Sequence, residues 1–251
     1  MAKKQEVEAV KENANAVAVL DFAADAGAGL EGADNGSFAV PFLAVLQGLS
    51  PALETVEGAK PGLLMNTVTN ELMKEAIVIP CAFQRRYLRW DGAARGKYKG
   101  DLSPIDVETG KVVGATRDDK GQWNIGDDIL KDTRNHYVLV KSASGSWQPA
   151  LLSLGSTQIK KSKRWLSRIQ GIELPGPNGK PYNPASYSHV YKVTTLKEEN
   201  DQGSWFGVTI DVVGPVTDAE LYAKAKAFNK QVTAGMVVVS EPPAAETSEA
   251  F

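Results

Sequence analysis

The sequence has one cysteine, Cys81, and two histidines, His136 and His189, among 251 residues. A single cysteine cannot form a disulfide within the chain, which suits a reducing compartment. These three side chains cannot supply the four ligands of a structural zinc site without carboxylates. The acidic residues show no EF-hand spacing. We therefore expect neither a bound metal nor another cofactor.

The sequence also lacks an apolar run of the roughly eighteen residues that a membrane helix needs. Its beginning, MAKKQEVEAVKEN, is too polar for a secretory signal. No GxSxG elbow and no Gly-rich phosphate loop is present, and no nucleophile motif accompanies the histidines. We therefore expect a soluble, cytosolic protein that is not an enzyme, although scattered carboxylates leave a nuclease open.

Charge is distributed unevenly along a chain whose formal net charge is −2. Residues 81–100 contain six basic side chains against the single acid Asp91. The termini are acidic. This pattern predicts a flexible acidic arm at 1–37 and an acidic tail at 241–251. Between them lies a single core at 38–240, with an inserted, loop-rich region at about 101–135.

The stretch GSTQIKKSKRWLSRIQG, residues 155–171, predicts a helix with Ser156 as its N-cap and Gly171 at its end. Three-and-four spacing predicts a core-facing stripe of Ile159, Ser162, Leu166 and Ile169. The helix has no acid, so its like charges repel unless an anion is bound. Its candidate DNA-binding residues are Lys160, Lys161, Lys163, Arg164, Trp165 and Arg168. The alternative is a solvated face with a half-buried tryptophan.

A second candidate surface follows the apolar strand predicted at 76–83, which continues as QRRYLRW. An extended chain would place Arg85, Tyr87 and Arg89 on one face and Arg86, Leu88 and Trp90 on the other. Guanidinium groups pair with phosphates, and aromatic rings offer a flat face to a base. Lys97 and Tyr98 repeat the pattern. The alternative is a polar hairpin whose aromatic rings cover the core.

The remaining core is predicted to be mostly strands. Segments 135–142 and 147–154 form one hairpin, and 186–197 with 204–213 form a longer one. Alternation along the longer hairpin places Tyr187 and Tyr191 on one face, with Trp205 near the start of the returning strand. A capping box at Thr217–Glu220 opens a C-terminal helix. The fold class is therefore β-rich α+β with two or three helices.

A β-rich core with basic-aromatic strands and an acidic tail ending in an aromatic residue resembles the single-stranded DNA-binding proteins of bacteria and their phages. The tail residues that carry this resemblance are Glu241, Glu246, Glu249 and Phe251. Residues 137–228 resemble phage-encoded members with an elaborated OB fold. Unlike the bacterial tails, this tail spaces its acids with Ala, Thr and Ser, and no proline precedes its last residue.

The resemblance implies an elaborated OB-fold-like antiparallel barrel with flexible termini. It also implies sequence-independent binding and protection of single-stranded DNA during phage replication and recombination in the cytoplasm of the bacterial host. A basic groove would follow the phosphates while aromatic rings stack on the bases. The tail would bind replication and recombination proteins. The resemblance leaves open whether the protein forms homo-oligomers. The implied DNA-binding residues are Arg85, Arg86, Tyr87, Arg89, Trp90, Lys97, Tyr98, Lys160, Lys161, Lys163, Arg164, Trp165, Arg168, Tyr187, Tyr191 and Trp205.

Two other functions remain open from the sequence. A strand-annealing recombination factor would also hold single strands but would assemble into rings or filaments. A virion or regulatory protein would use the acidic ends to bind other proteins and would have no affinity for oligonucleotides.

Overall fold

The computed structural model describes residues 24–33, 37–92, 97–201, 203–237 and 239. The chain divides into two units, Met1–Phe38 and Ala39–Phe251. In the first unit, residues 24–33 form successive turns, in which the N–H of Ala28 donates to the carbonyl of Asp25. The tail residues predicted to bind partners, Glu241, Glu246, Glu249 and Phe251, lie outside the described residues.

The described part of the second unit is β-rich and contains four α-helices. None of these helices is long and apolar enough to cross a membrane. The helices are α1 (Ala52–Thr55), α2 (Pro104–Glu108), α3 (Ile159–Gln170) and α4 (Ala219–Thr233). The strands are β1 (Leu43–Val45), β2 (Leu64–Asn66), β3 (Leu72–Met73), β4 (Glu75–Trp90), β5 (Tyr98–Leu102), β6 (Ala115–Arg117), β7 (Trp123–Ile125), β8 (Asp128–Lys141), β9 (Trp147–Gly155), β10 (Leu174–Pro175), β11 (Pro181–Tyr182), β12 (His189–Asn200) and β13 (Gly203–Pro215).

Two long antiparallel strands, β4 and β8, form the axis of the main sheet. Their register runs from Val78 opposite Val140 to Trp90 opposite Ile129, with a shift between Pro80 and Ala82. The shift relieves the ladder at Pro80, because proline has no N–H to donate. The start of β4 pairs with β12, and its end pairs with β5. On the other side, β8 pairs with β7 and β9.

The OB-fold-like antiparallel barrel that the resemblance implies is not confirmed, because the described sheets do not close. Strand pairing in the described part of the chain runs β13-β12-β4-β8-β7-β6, which leaves β13 at an edge. Side chains, rather than a further strand, form hydrogen bonds with the backbone of β13. The Gln47 amide exchanges two hydrogen bonds with the backbone of Phe206, at 2.8 and 2.9 Å. The Gln158 side chain accepts from the N–H of Val208 at 3.0 Å.

The sheet is covered on both faces by apolar side chains. On one face, buried residues of seven strands surround Trp165 of α3. On the other face, Ala225, Phe228 and Val232 of α4 pack against Ile79 and other buried residues. The spacing of three and four residues explains why α4 presents these side chains to the sheet. Strand β4 and helix α3, which both carry candidate basic residues, are thereby fixed to the core.

Several sequence predictions need correction. The region 101–135 is less loop-rich than expected, because it contains α2, β5 to β7 and the first half of β8. Residues 186–188 form a 3-10 turn, so β12 begins at His189. Tyr187 therefore does not share a strand face with Tyr191. Thr217 is not the N-cap of α4, since Asp218 accepts from the N–H groups of residues 220 and 221.

Substitution of Gly62, which packs against Phe206 of β13, tests how closely the β13 edge is packed. Its φ is +87°, and a Cβ there would lie 2.6 Å from the Phe206 ring. Gly58 has a similar φ of +80°, but the nearest atom to its Cβ would be 3.8 Å away. Gly58→Ala should cost only backbone strain, whereas Gly62→Ala should cost about 1–3 kcal/mol more through the clash. Urea unfolding measures both, and equal losses would contradict this packing.

Candidate nucleic-acid interface

Arg85, on β4, is held in an ion-pair network rather than left open to solvent. Its guanidinium lies 2.8 Å from Asp132 of β8 and 2.7 Å from Glu108 of α2. It also lies over the ring of Tyr87, 5.3 Å from the centroid. The face predicted for Arg85 and Tyr87 is therefore real, but its positive charge is neutralised by carboxylates from two other elements.

Three other cations of this region, Arg86, Arg89 and Lys99, are paired in the same way. Arg86 lies 3.3 Å from Asp101, and Arg89 lies 2.6 Å from Asp128. Lys99 contacts Asp128 at 2.7 Å and Asp91 at 2.9 Å. Hydrogen bonds from Lys99 and then Arg89 hold the pKa of Asp128 below its usual value, so this carboxylate stays charged. A phosphate bound here would have to displace these carboxylates.

The aromatic rings predicted on this strand are covered. Tyr87 and Trp90 are 3% and 4% exposed. Burial, followed by the hydrogen bond to Glu108, raises the pKa of Tyr87 to about 12. Tyr98 is half-buried, with its ring 5.4 Å from that of Trp90. Lys97 is exposed. Tyr87 therefore cannot stack on a base in this conformation, and Trp90 exposes too little of its ring to do so at the outer surface of β4.

Helix α3 has a different orientation from the predicted one. Its buried residues are Ser162 and Trp165, while Ile159, Leu166 and Ile169 are only half-buried. Trp165 is 1% exposed and stacks on His136 with ring centroids 4.6 Å apart. The Ser162 hydroxyl and His136 Nε2 are 2.7 Å apart. The core-facing stripe is therefore centred on Ser162 and Trp165, and Trp165 is a core residue.

The start of α3 also differs from prediction. Ser156 opens a 3-10 turn, Ser156–Gln158, with a φ of +48°, and no side chain caps this turn or the helix. Gly171 follows the last helical residue, as predicted, but its φ of −79° is right-handed. The 3-10 turn satisfies the N–H of Ile159, which donates to the carbonyl of Ser156, so only the N–H groups of the turn itself lack a helical acceptor.

Three cations of α3 form an exposed group, which we call the cationic face: Lys160, Lys163 and Arg164. All three are exposed and make no ion pair within the described part of the chain. Their spacing of three and four residues places them within one helical turn. Because none of the three pairs with a carboxylate of the described residues, this face keeps its positive charge.

The other two cations of α3 are used to hold the β13 edge. Lys161 pairs with Glu198 and donates to the carbonyl of Val208 at 3.1 Å. Arg168 donates to the carbonyl of Ile210 at 2.6 Å and lies 3.4 Å from Asp211. These contacts give Lys161 and Arg168 a structural role in attaching α3 to β13.

The three aromatic residues predicted on the longer hairpin lie in three different environments. Tyr187 packs on Tyr222 of α4 with ring centroids 5.3 Å apart. Tyr191 is 1% exposed and lies beside Trp165 in the core. Trp205 is half-buried and donates its indole N–H to Glu198 at 3.0 Å. Of the three, only Trp205 lies next to α3 with part of its surface accessible.

Trp205 lines a cleft of about 530 Å³, which we call the α3 cleft. The start of α3 forms one wall, and the loop containing Leu49 forms another. Trp90 and Phe206 complete the aromatic lining. A concave site of this volume, mostly apolar with a few polar groups, is typical of ligand pockets.

Sequence reasoning missed the acids that neutralise β4. Asp132 lies on β8 directly opposite Tyr87, and Asp128, at the start of β8, contacts Arg89. Their spacing of four residues places both carboxylates on one face of an extended strand, which could have indicated pairing with QRRYLRW. Gln47 and Gln158 carried no signal, because their partners are backbone groups distant in sequence.

Comparison with known proteins indicates a phage protein. A family model described as Pam3 phage gp34-like protein matches residues 10–238. Because this match spans most of the sequence, the chain belongs to the Pam3 phage gp34-like protein family. No curated protein and no solved structure matches the chain.

Proposed function

We propose that this protein binds single-stranded DNA without sequence preference and protects it during phage DNA replication and recombination. The observation that carries the proposal is the cationic face of α3. Lys160, Lys163 and Arg164 are exposed and unpaired among the described residues, whereas Arg85, Arg86, Arg89, Lys99, Lys161 and Arg168 each contact a carboxylate.

The fixed geometry of the helix supports phosphate binding at this face. The rigid attachment of α3 through Trp165, Lys161 and Arg168 means that the cationic face needs no large rearrangement to bind. Neutralising phosphates with lysine and arginine releases condensed counterions, which drives binding without reading the bases. A net charge of −2 is compatible with this mechanism, because the positive charge is concentrated on one helix face.

The rings beside α3 favour single strands over duplex. Trp205 and Phe206 are half-buried in the α3 cleft next to the cationic face. Aromatic rings stack on unpaired bases, whereas the bases of a duplex are already stacked on one another. We therefore propose that the cationic face holds the strand and the adjacent rings select its unpaired state.

The test is a variant with Lys160, Lys163 and Arg164 all changed to glutamine. Anisotropy of a labelled 30-mer of deoxythymidine should show much weaker binding than with the unaltered protein. The plot of log K against log salt concentration should be shallower by about 2, because each lost phosphate contact removes about 0.7 from the slope. Folding should be unchanged, since all three side chains are exposed.

The matched control changes Lys120, Lys226 and Lys230 to glutamine. These lysines are exposed outside α3, and the substitution alters the net charge by the same amount. The control should bind the 30-mer like the unaltered protein. If both variants lose affinity equally, net charge rather than the cationic face governs binding, and the proposal is wrong.

A further inference from the structure

We infer that the α3 cleft holds one unpaired nucleobase of the bound strand, with the phosphate of that nucleotide at the start of α3. This inference rests on the proposed function. It assigns to the cleft a ligand of defined chemistry, a heteroaromatic ring attached to an anion. The cationic face then holds the strand on either side of that nucleotide.

The lining of the cleft suits a flat ring. Trp205 and Phe206 contribute half-buried aromatic surface, Val45 contributes aliphatic surface, and Trp90, which is only 4% exposed, lies among the lining residues. The volume of about 530 Å³ lies in the range of small-molecule pockets. Planar aromatic groups prefer to pack against rings in offset or edge-to-face arrangements.

One of the lining residues, Trp90, carries an orphaned donor. The indole N–H of Trp90 is buried, and it has no hydrogen-bond partner among the described residues. A buried donor without an acceptor costs free energy, so such groups are rare in folded proteins. Nucleobases carry carbonyl and ring-nitrogen acceptors that could satisfy this donor after a small adjustment of the ring. The orphaned N–H is therefore a second feature that indicates a polar aromatic ligand rather than a hydrocarbon.

The polar side of the cleft suits a phosphate. Ser156, Thr157 and Gln158 line it, and the backbone N–H groups of this turn have no side-chain cap. Uncapped N–H groups and the helix dipole attract anions. Asp132 is the single carboxylate of the lining, and Arg85 and Arg134 lie 2.8 and 3.0 Å from it. The repulsion that this carboxylate would exert on a phosphate is thereby largely offset.

The cleft and the cationic face share the first turn of α3. Gln158 and Ile159 line the cleft, and Lys160 follows them directly in the chain. A strand whose phosphates lie along Lys160, Lys163 and Arg164 therefore reaches the cleft without leaving the protein surface. A base that is paired in a duplex could enter the cleft only after unpairing.

The experiment compares the full chain bound to a 30-mer of deoxythymidine and to an abasic 30-mer with the same number of phosphates. The deoxythymidine strand should bind roughly tenfold or more tightly, because stacking of a base contributes measurably in such proteins. Equal affinities would overturn the base-binding role of the cleft and leave the cationic face intact. Failure to bind either strand would reject the proposed function and this inference with it.

The variant Thr157→Glu places a negative charge where the phosphate is inferred to lie. A carboxylate at a helix start is favourable for folding, so lost binding would not reflect unfolding. Its affinity for the deoxythymidine strand should fall about tenfold or more by loss of the bound phosphate. The control, Thr217→Glu, adds the same charge near the start of α4 and should bind normally. Equal effects of the two variants would contradict the inferred position of the phosphate.

Discussion

Replacing Trp165 with alanine is expected to lower the free energy of unfolding by about 3–5 kcal/mol, the cost of removing a large buried ring. Trp165 is 1% exposed, stacks on His136 and packs edge-on against Tyr191. Its removal leaves a cavity in the core between α3 and the sheet, which the rigid strands cannot fill. Guanidinium-induced unfolding followed by circular dichroism measures the loss.

Arg164→Ala is the matched control for this substitution. Arg164 is the preceding residue on α3 but is exposed, so its replacement should change stability by no more than about 0.5 kcal/mol. DNA affinity should fall for Arg164→Ala, because this substitution removes a phosphate contact although it barely changes stability. A stability loss below about 1 kcal/mol for Trp165→Ala would show that the ring is not a core residue.

Acidification from pH 8 to pH 5 is expected to lower the free energy of unfolding by about 2 kcal/mol through His136 alone. Burial, followed by the charge of Arg134, lowers the pKa of His136 from 6.5 to about 3. Between these values the unfolded chain binds a proton and the folded protein does not, so falling pH favours unfolding. Above pH 6.5 both states are neutral at this residue, and its stabilising effect is fully present.

His136→Gln separates this effect from other titrations. The glutamine amide can take the place of Nε2 opposite the Ser162 hydroxyl, which lies 2.7 Å away in the unaltered protein. Glu108, Asp128 and Glu198, whose pKa values are lowered, are present in both proteins and their effects cancel. The variant should lose less stability than the parent between pH 8 and pH 5. Parallel pH profiles would show that His136 is not buried in its neutral form.

Local signals in the sequence predicted much of the secondary structure. The apolar run at 76–83, the turn at 143–146 and the alternation after 203 correspond to β4, the β8–β9 connection and β13. Alternation also placed Arg85 and Tyr87 on one face of β4, where the guanidinium lies over the ring. These features depend on neighbouring residues, which is why a single sequence can indicate them.

Which cations of the candidate site are open to solvent, and how α3 is oriented, depends on residues that are distant in sequence. Whether Arg85 is open to phosphate depends on Asp132 and Glu108, which come from β8 and α2. The orientation of α3 depends on Ser162 meeting His136 of β8, a contact that helical periodicity alone does not show. The sequence therefore shows where the cationic residues lie along the chain, but only tertiary contacts separate the exposed ones from the paired ones.

The salt dependence of binding to a 30-mer of deoxythymidine tests the central claim most directly, with duplex of the same length beside it. The account predicts tight binding to the single strand, much weaker binding to duplex, and a log K that falls steeply and linearly with log salt concentration. Changing Lys160, Lys163 and Arg164 to glutamine should make that line shallower by about 2. Absence of single-strand binding at low salt, or an unchanged slope in this variant, would contradict a DNA-binding role for the cationic face of α3.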